Sequence, residues 1–234
     1  MKVISRTHIG NVRASNQDSV LNEENSRLYG VADGMGGHNG GDIASQMAVL
    51  MLPRILESMD ASEENLLAGF EQVNRLIFEE QLKDQVLSGM GTTLTVLWER
   101  DQEIILGHIG DSRAYRMRNG NIEQMSMDHS VVGEMVREGL ITEEQAMKHP
   151  YRNVITQAVG TSETLNPDIK TIKKQKGDKY ILCSDGLYEY VSKEEMRDLL
   201  LRNAPEDAAE QMIKKALEAG GKDNVTVMIA EVTL

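Results

Sequence analysis

The period of the hydrophobic pattern changes several times along the chain. Short apolar runs at 2–5, 19–21 and 28–32 predict strands, and the last leads into Asp33-Gly34-Met35-Gly36-Gly37, a flexible turn. Helical patterns follow over about 42–59 and 61–84. In the second, Leu66, Phe70, Val73, Ile77 and Phe78 recur at helical spacing and form one apolar face. Asp60 with Glu63 three residues on predicts its capped start, and Asp42 beside Gly40-Gly41 predicts the N-cap of the first helix. From 92 onward, β-branched and aliphatic positions predict strands at 92–98, 103–109, 112–118 and 121–125. Asn119-Gly120 joins the last two as a hairpin, because both residues tolerate positive φ. Strands joined this tightly must pair antiparallel, which argues against a doubly wound parallel sheet.

Beyond 130 the pattern predicts short helices at 131–138 and from Thr142, where Thr142 and Gln145 form a capping box. A strand at 179–184 follows, then a helix opened by Ser192 with Glu195. The next helix begins at Pro205 and is ended by Gly220-Gly221, and a final strand covers 225–232. No repeat and no Pro/Gly/Ser-rich linker divides these elements, so a single domain over 1–234 is expected. Its class is α+β, with antiparallel sheets covered by helices on both outer faces.

Composition narrows the function. The chain carries 25 Lys and Arg against 37 Asp and Glu, a net charge of −12. That balance argues against nucleic acid as a partner, since a phosphate backbone attracts basic surfaces. No apolar run reaches the roughly 18 residues that a membrane-spanning helix needs, so no membrane association is expected. The opening residues do not read as a secretory signal, and Cys183 is alone among apolar neighbours, so a reducing, cytoplasmic setting is expected. The five histidines show no close metal-ligand spacing, which excludes a zinc finger and leaves oxygen ligands for any metal.

The chemistry lies in aspartates placed at strand ends. Asp33-Gly34 follows the apolar run 28–32, Gly110-Asp111 follows 104–109, Asp185-Gly186 follows 180–184, and Asp223-Asn224 precedes the last strand. One Asp-Gly is usually just a turn. Four carboxylates at strand termini can gather at one sheet end, where they repel each other unless a divalent cation is present, and hard oxygen ligands select Mg²⁺ or Mn²⁺.

Taken with Arg13-Ala14-Ser15-Asn16-Gln17-Asp18, Gly91-Thr92-Thr93, Gly110-Asp111-Ser112-Arg113 and Ser184-Asp185-Gly186, these motifs occur in an order that spans nearly the whole chain. The sequence resembles the metal-dependent protein Ser/Thr phosphatases of type 2C (the PPM family), especially their compact bacterial members. The resemblance implies a four-layer α-β-β-α sandwich with a two-metal site at one end and a flap over about 129–178. It implies that Asp33 bridges two core ions (Mn²⁺ or Mg²⁺), that Asp185 and Asp223 hold one, and that the Gly34 carbonyl ligates the other. Asp18 would act through water, Arg13 would grip the substrate phosphate, and Asp111 with Asp185 would hold a third, weaker ion. Animal members carry a His where this chain has Met35. A thioether cannot donate a proton, so the leaving-group acid is assigned to water near Asp111, with His38 as the other candidate.

The expected activity is hydrolysis of phosphoserine and phosphothreonine in proteins, opposing a bacterial Ser/Thr kinase, by a monomer. The alternatives are a non-catalytic phosphoprotein-binding regulator on the same fold and a two-metal nuclease or phosphodiesterase. Retention of Asp18, Asp33, Asp185 and Asp223 counts against the first, and the charge of −12 against the second. Asp128-His129-Ser130 is read as a turn and helix cap, because triads assemble from distant positions. Arg113 is read as the partner of a nearby carboxylate.

Overall fold

The structure, a computed structural model, describes residues 1–36 and 40–233. One sheet runs in the order β1 (Lys2–His8), β11 (Val225–Glu231), β10 (Lys179–Cys183), β7 (Arg113–Arg118), β8 (Asn121–Gln124). The other runs β2 (Asp18–Glu23), β3 (Leu28–Met35), β5 (Leu94–Glu99), β6 (Glu103–Ile109), β9 (Asp168–Lys173), with the short β4 (Gly91–Thr92) on the end of β3. Every pairing among the described residues is antiparallel. Tight connections such as Asn119-Gly120, with φ values of 52° and 79°, require that arrangement.

The sheets stack because their strands are apolar on both faces. On β11, Val225, Val227 and Ile229 pack outward against α5 (Asp185–Tyr188), α6 (Lys193–Arg202) and α7 (Pro205–Glu218), while Met228 and Ala230 face the opposite sheet. On β6, Ile105 and Ile109 face α1 (Gly41–Leu56) and α2 (Glu63–Lys83), whereas Ile104 and Leu106 point between the sheets. The two-residue period of a strand sends alternate side chains to opposite faces, so three apolar layers separate four structural ones. The α-β-β-α sandwich is the architecture expected from the sequence.

Some boundaries differ. The cap of α2 is Ser62, whose hydroxyl accepts from Asn65 N at 3.1 Å, and Asp60 instead offers its carbonyl to Asn65 Nδ2. Asp42 lies in the first turn of α1 behind the N-cap Gly40. Edge strand β9 and the single-turn helix α5 carried too little pattern to be foreseen. In β9 mostly exposed positions replace a clean alternation, as suits an edge whose lysines discourage pairing with another chain. Because β9 belongs to the sheet, only the earlier part of 129–178 stands apart from the sandwich. It carries α3 (Val131–Arg137), capped by Ser130, and α4 (Glu143–Met147), with the expected Thr142–Gln145 capping box.

Candidate metal centre

Strand register brings the aspartates together. Asp18 lies opposite Asp33 on β2 and β3, and Leu94 opposite Ile109 on β5 and β6, so Asp111 emerges beside Thr93. Cys183 pairs with both Arg113 and Val227, placing Asp185 and Asp223 at the same end of the other sheet. Asp33 feels the charges of Asp18, Asp185, Asp111 and Asp223, and Arg13 those of Asp223, Asp185 and Asp33. All five carboxylates foreseen from the sequence, with Arg13 and the Gly34 backbone, therefore meet at one end of the sandwich.

Local chemistry holds each one. The Asp33 amide donates to Thr93 Oγ1 at 2.8 Å, and the Asp33 carbonyl accepts from Thr93 N and Thr92 Oγ1, so the strand is clamped just where its carboxylate projects. Thr93 Oγ1 is in turn 2.8 Å from Ser112 Oγ. Ser184 Oγ donates to Asp18 Oδ2 at 2.7 Å and links the two sheets. Gly110, at φ 101°, turns the chain into Asp111, and its carbonyl accepts from His129 N at 2.8 Å. The loop bearing Arg13 is pinned by buried Asn224. Its Oδ1 accepts from Gln17 N at 2.8 Å, and its Nδ2 donates to the carbonyls of Ile9 and Ser15. Gly10, at φ 83°, lets that loop pass against the Asp223 carbonyl, 2.2 Å from where a Cβ would sit. These hydroxyl and amide supports carry no sequence signal of their own, although each is adjacent to, or lies within, one of the motifs above. His38 lies outside the described residues.

The electrostatics favour a cation. Burial, with the neighbouring carboxylates, raises Asp33 and Asp185 well above the ordinary carboxylate range. Burial pushes Asp18 up to about 6 and Asp111 up to about 7. Asp18 Oδ1 and Asp185 Oδ1 are buried with no hydrogen-bond partner among the described residues, and a buried acceptor left unmatched costs about 1–3 kcal/mol, more when charged. Arg13 Nη2 answers one carboxylate, Asp223 Oδ2, at 2.6 Å. Among the described residues, no three acidic, His or Cys side chains close on one point as a ready cage. The donor set is all oxygen and strongly negative, which fits hard divalent ions and not zinc.

These shifts have a measurable consequence. A carboxyl with a folded pKa above its unfolded value of about 3.9 binds more protons in the native state, so its contribution to stability is lost as pH rises through the folded pKa. Imidazoles oppose this increasingly as pH nears and passes below their unfolded pKa of about 6.5, since burial lowers His108 to about 3 and also lowers His129, but these two are outnumbered by four raised carboxyls. Chelated protein should therefore melt at a progressively higher temperature as pH falls from about 8 to about 6.5, and Mn²⁺ should raise the melting temperature most at the alkaline end. A flat profile in that window would show that the carboxyls titrate normally.

The family Protein phosphatase 2C matches residues 6–223 of the chain. Serine/threonine phosphatase stp of Listeria welshimeri is 36% identical over 97% of this chain and 94% of its own length. The crystal structure of the Mycobacterium tuberculosis serine/threonine phosphatase PstP/Ppp superposes with a TM-score of 0.92 at 36% identity, covering 100% of this chain and 99% of that one. The catalytic domain of PstP in complex with two manganese ions gives a TM-score of 0.90 at 36% identity, covering 100% and 98%.

Proposed function

The chain belongs to the protein phosphatase 2C family, and on that footing we propose how its own residues serve the reaction. It is a metal-dependent protein serine/threonine phosphatase that uses Mn²⁺ or Mg²⁺. In our reading, Asp33 would serve both core ions, Asp185 and Asp223 would hold one of them, and the Gly34 carbonyl would ligate the other. Asp18 would support the pair from beside Asp33, and Asp111 with Asp185 would hold a third, weaker ion. When bound, such ions acidify a coordinated water and stabilise charge on the phosphoryl oxygens.

The chain's part is to hold donors still and to receive the phosphate. Ser184 fixes the rotation of Asp18 by bonding one of its oxygens, and the Thr93–Ser112 hydroxyl pair fixes the strand below Asp33. Arg13 reaches over the cluster with its side chain half exposed, so it can meet a phosphate arriving from solvent. Its planar fork suits two phosphate oxygens, and Asp223 keeps it oriented until then. The observation that carries this reading is the convergence of five carboxylates from distant segments, two of whose buried oxygens have no donor among the described residues.

The test is phosphate release from p-nitrophenyl phosphate and from a phosphothreonine peptide, with Mn²⁺ and with chelator. Metal-dependent release from both is expected. Binding of the peptide without turnover would instead favour a phosphoprotein-binding regulator, and cleavage of diesters alone would favour a nuclease.

We further infer a single catalytic domain working as a cytoplasmic monomer in signalling, against a Ser/Thr kinase and without nucleic acid or a membrane as partner. No described helix is long and apolar enough to cross a membrane. The segment 129–167 serves as a flap that sorts phosphoproteins. It exposes Leu140, Met147 and Tyr151, a surface suited to contact with protein substrates. Exchanging residues 131–151 for another flap should alter the order of preference among phosphoproteins while leaving p-nitrophenyl phosphate turnover within about twofold. An unchanged preference would remove the flap from substrate choice.

A further inference from the structure

Beside the carboxylate cluster, Arg113 makes a set of contacts that the roles above leave unused. Its guanidinium forks onto Asp128, with Nε 3.0 and 3.1 Å from the two carboxylate oxygens and Nη2 2.7 Å from Oδ2. Nη1 reaches the Tyr115 hydroxyl at 3.4 Å, and the guanidinium carbon lies 3.8 Å from the centre of the Tyr188 ring. Gln124 Nε2 adds a bond to Asp128 Oδ1 at 3.2 Å. The Arg113 and Asp128 side chains are only 23% and 11% exposed. Away from water, a two-point ion pair with a stacked face leaves the side chain little freedom.

The placement of these groups matters more than their strength. Arg113 follows Asp111 by two residues and sits opposite Cys183 in the β7–β10 register. Two residues beyond Cys183, Asp185 opens α5, and Tyr188 closes the same turn. Asp128 ends the approach to the flap, whose next residue, His129, donates to the Gly110 carbonyl. One planar group thus ties the backbone carrying Asp111 to the helix carrying Asp185 and to the flap entry. As a stabilising device a buried ion pair is poor compared with apolar packing of the same volume. What it adds is fixed geometry, and a lysine would supply the charge without the fork or the flat face.

We propose that Arg113 is a positioning residue that, through Asp128 and Tyr188, sets the spacing of Asp111 and Asp185 and so the affinity of the third cation site. This rests on the assignment of that site to Asp111 and Asp185. Direct hydrogen-bond partners of metal ligands commonly change affinity by about 10–100-fold when removed, and Arg113, which acts one step further out through Asp128 and Tyr188, should fall at the low end of that range. The lever is therefore large enough to measure.

The experiment counts bound Mn²⁺ by electron paramagnetic resonance of the free ion, with melting temperatures recorded in parallel. It compares the wild-type chain with Arg113→Lys, Asp128→Asn, Tyr188→Leu and Asp111→Asn. The wild type should bind two ions tightly and one weakly, and Asp111→Asn should lose the weak one. Arg113→Lys and Asp128→Asn should each keep the two tight ions and weaken the third by about tenfold, with kcat for p-nitrophenyl phosphate falling and KM little changed. Their double variant should be no worse than either alone, since both changes break one device. Tyr188→Leu, which keeps the ion pair and removes the stacked face, should show a smaller loss of the same kind. Three ions in the wild type with an unaltered weak site in Arg113→Lys and Asp128→Asn would overturn the proposal alone. Uniform weakening of all three ions would do the same, by reducing the contact to a structural one. A wild type that binds only two ions would overturn the assignment of Asp111, and the proposal with it.

Discussion

Asp33→Asn should lower kcat for p-nitrophenyl phosphate by about a thousandfold or more while raising the melting temperature of the chelated protein. The two effects share one cause. Asp33 is held on β3 by the Thr93 clamp, so Asn fits the same space, and its backbone bonds to Thr92 and Thr93 are unaffected. What disappears is a charge that burial and four neighbouring carboxylates oppose. Without cations that charge destabilises the fold, and with them it would serve as the proposed shared ligand of the core pair. A melting curve and a turnover assay on the same preparation read both. Near-normal turnover would show that Asp33 has been given the wrong role. Lost turnover with a lowered melting temperature would mean the variant is damaged and not merely neutralised.

Gly34→Ala should destabilise the protein by about 3 kcal/mol or more and remove turnover at the assay temperature. A Cβ at this position would lie 1.9 Å from the Gly41 carbonyl oxygen, 2.4 Å from the Gly41 carbonyl carbon and 2.7 Å from the Gln17 carbonyl oxygen. All three are backbone atoms, so no side chain can swing aside to make room. The start of α1 would have to leave β3, and the Asp33-Gly34 segment would lose its support. Gly120→Ala is the control, because a Cβ there meets nothing within 4 Å and the only penalty is its φ of 79°. That change should cost about 1 kcal/mol and spare turnover. Denaturant unfolding of both variants separates the two costs, and similar values would mean that β3 and α1 are less tightly apposed than the structure has them.

Much of the sandwich was legible because strands and helices write their periods locally. The hairpin at Asn119-Gly120 and the caps at Ser192 and Thr142 needed only neighbouring residues to be recognised. The misplaced caps at Asp60 and Asp42 arose where two capping residues stood close together and packing chose between them. At α1 the choice followed from the contact of Gly41 with Gly34, which is remote in sequence. β9 escaped notice because an edge strand half open to water needs no apolar alternation.

The candidate site divides along the same line. Aspartates at strand ends are legible in the amino-acid sequence and point to Asp33, Asp111, Asp185 and Asp223, and the family resemblance carried by the ordered motifs adds Asp18, Gly34 and Arg13. Only the tertiary structure decided the rest: strand register sets Asp18 opposite Asp33, stacking of the two sheets brings Ser184 to Asp18, and loop and helix packing docks Arg13 on Asp223 and grips Arg113 between Asp128 and Tyr188. The physical reason is range. Turn chemistry and hydrophobic period are decided within a few residues, whereas the hydrogen bond between Ser184 and Asp18, 166 residues apart in the chain, exists only when the two sheets are stacked.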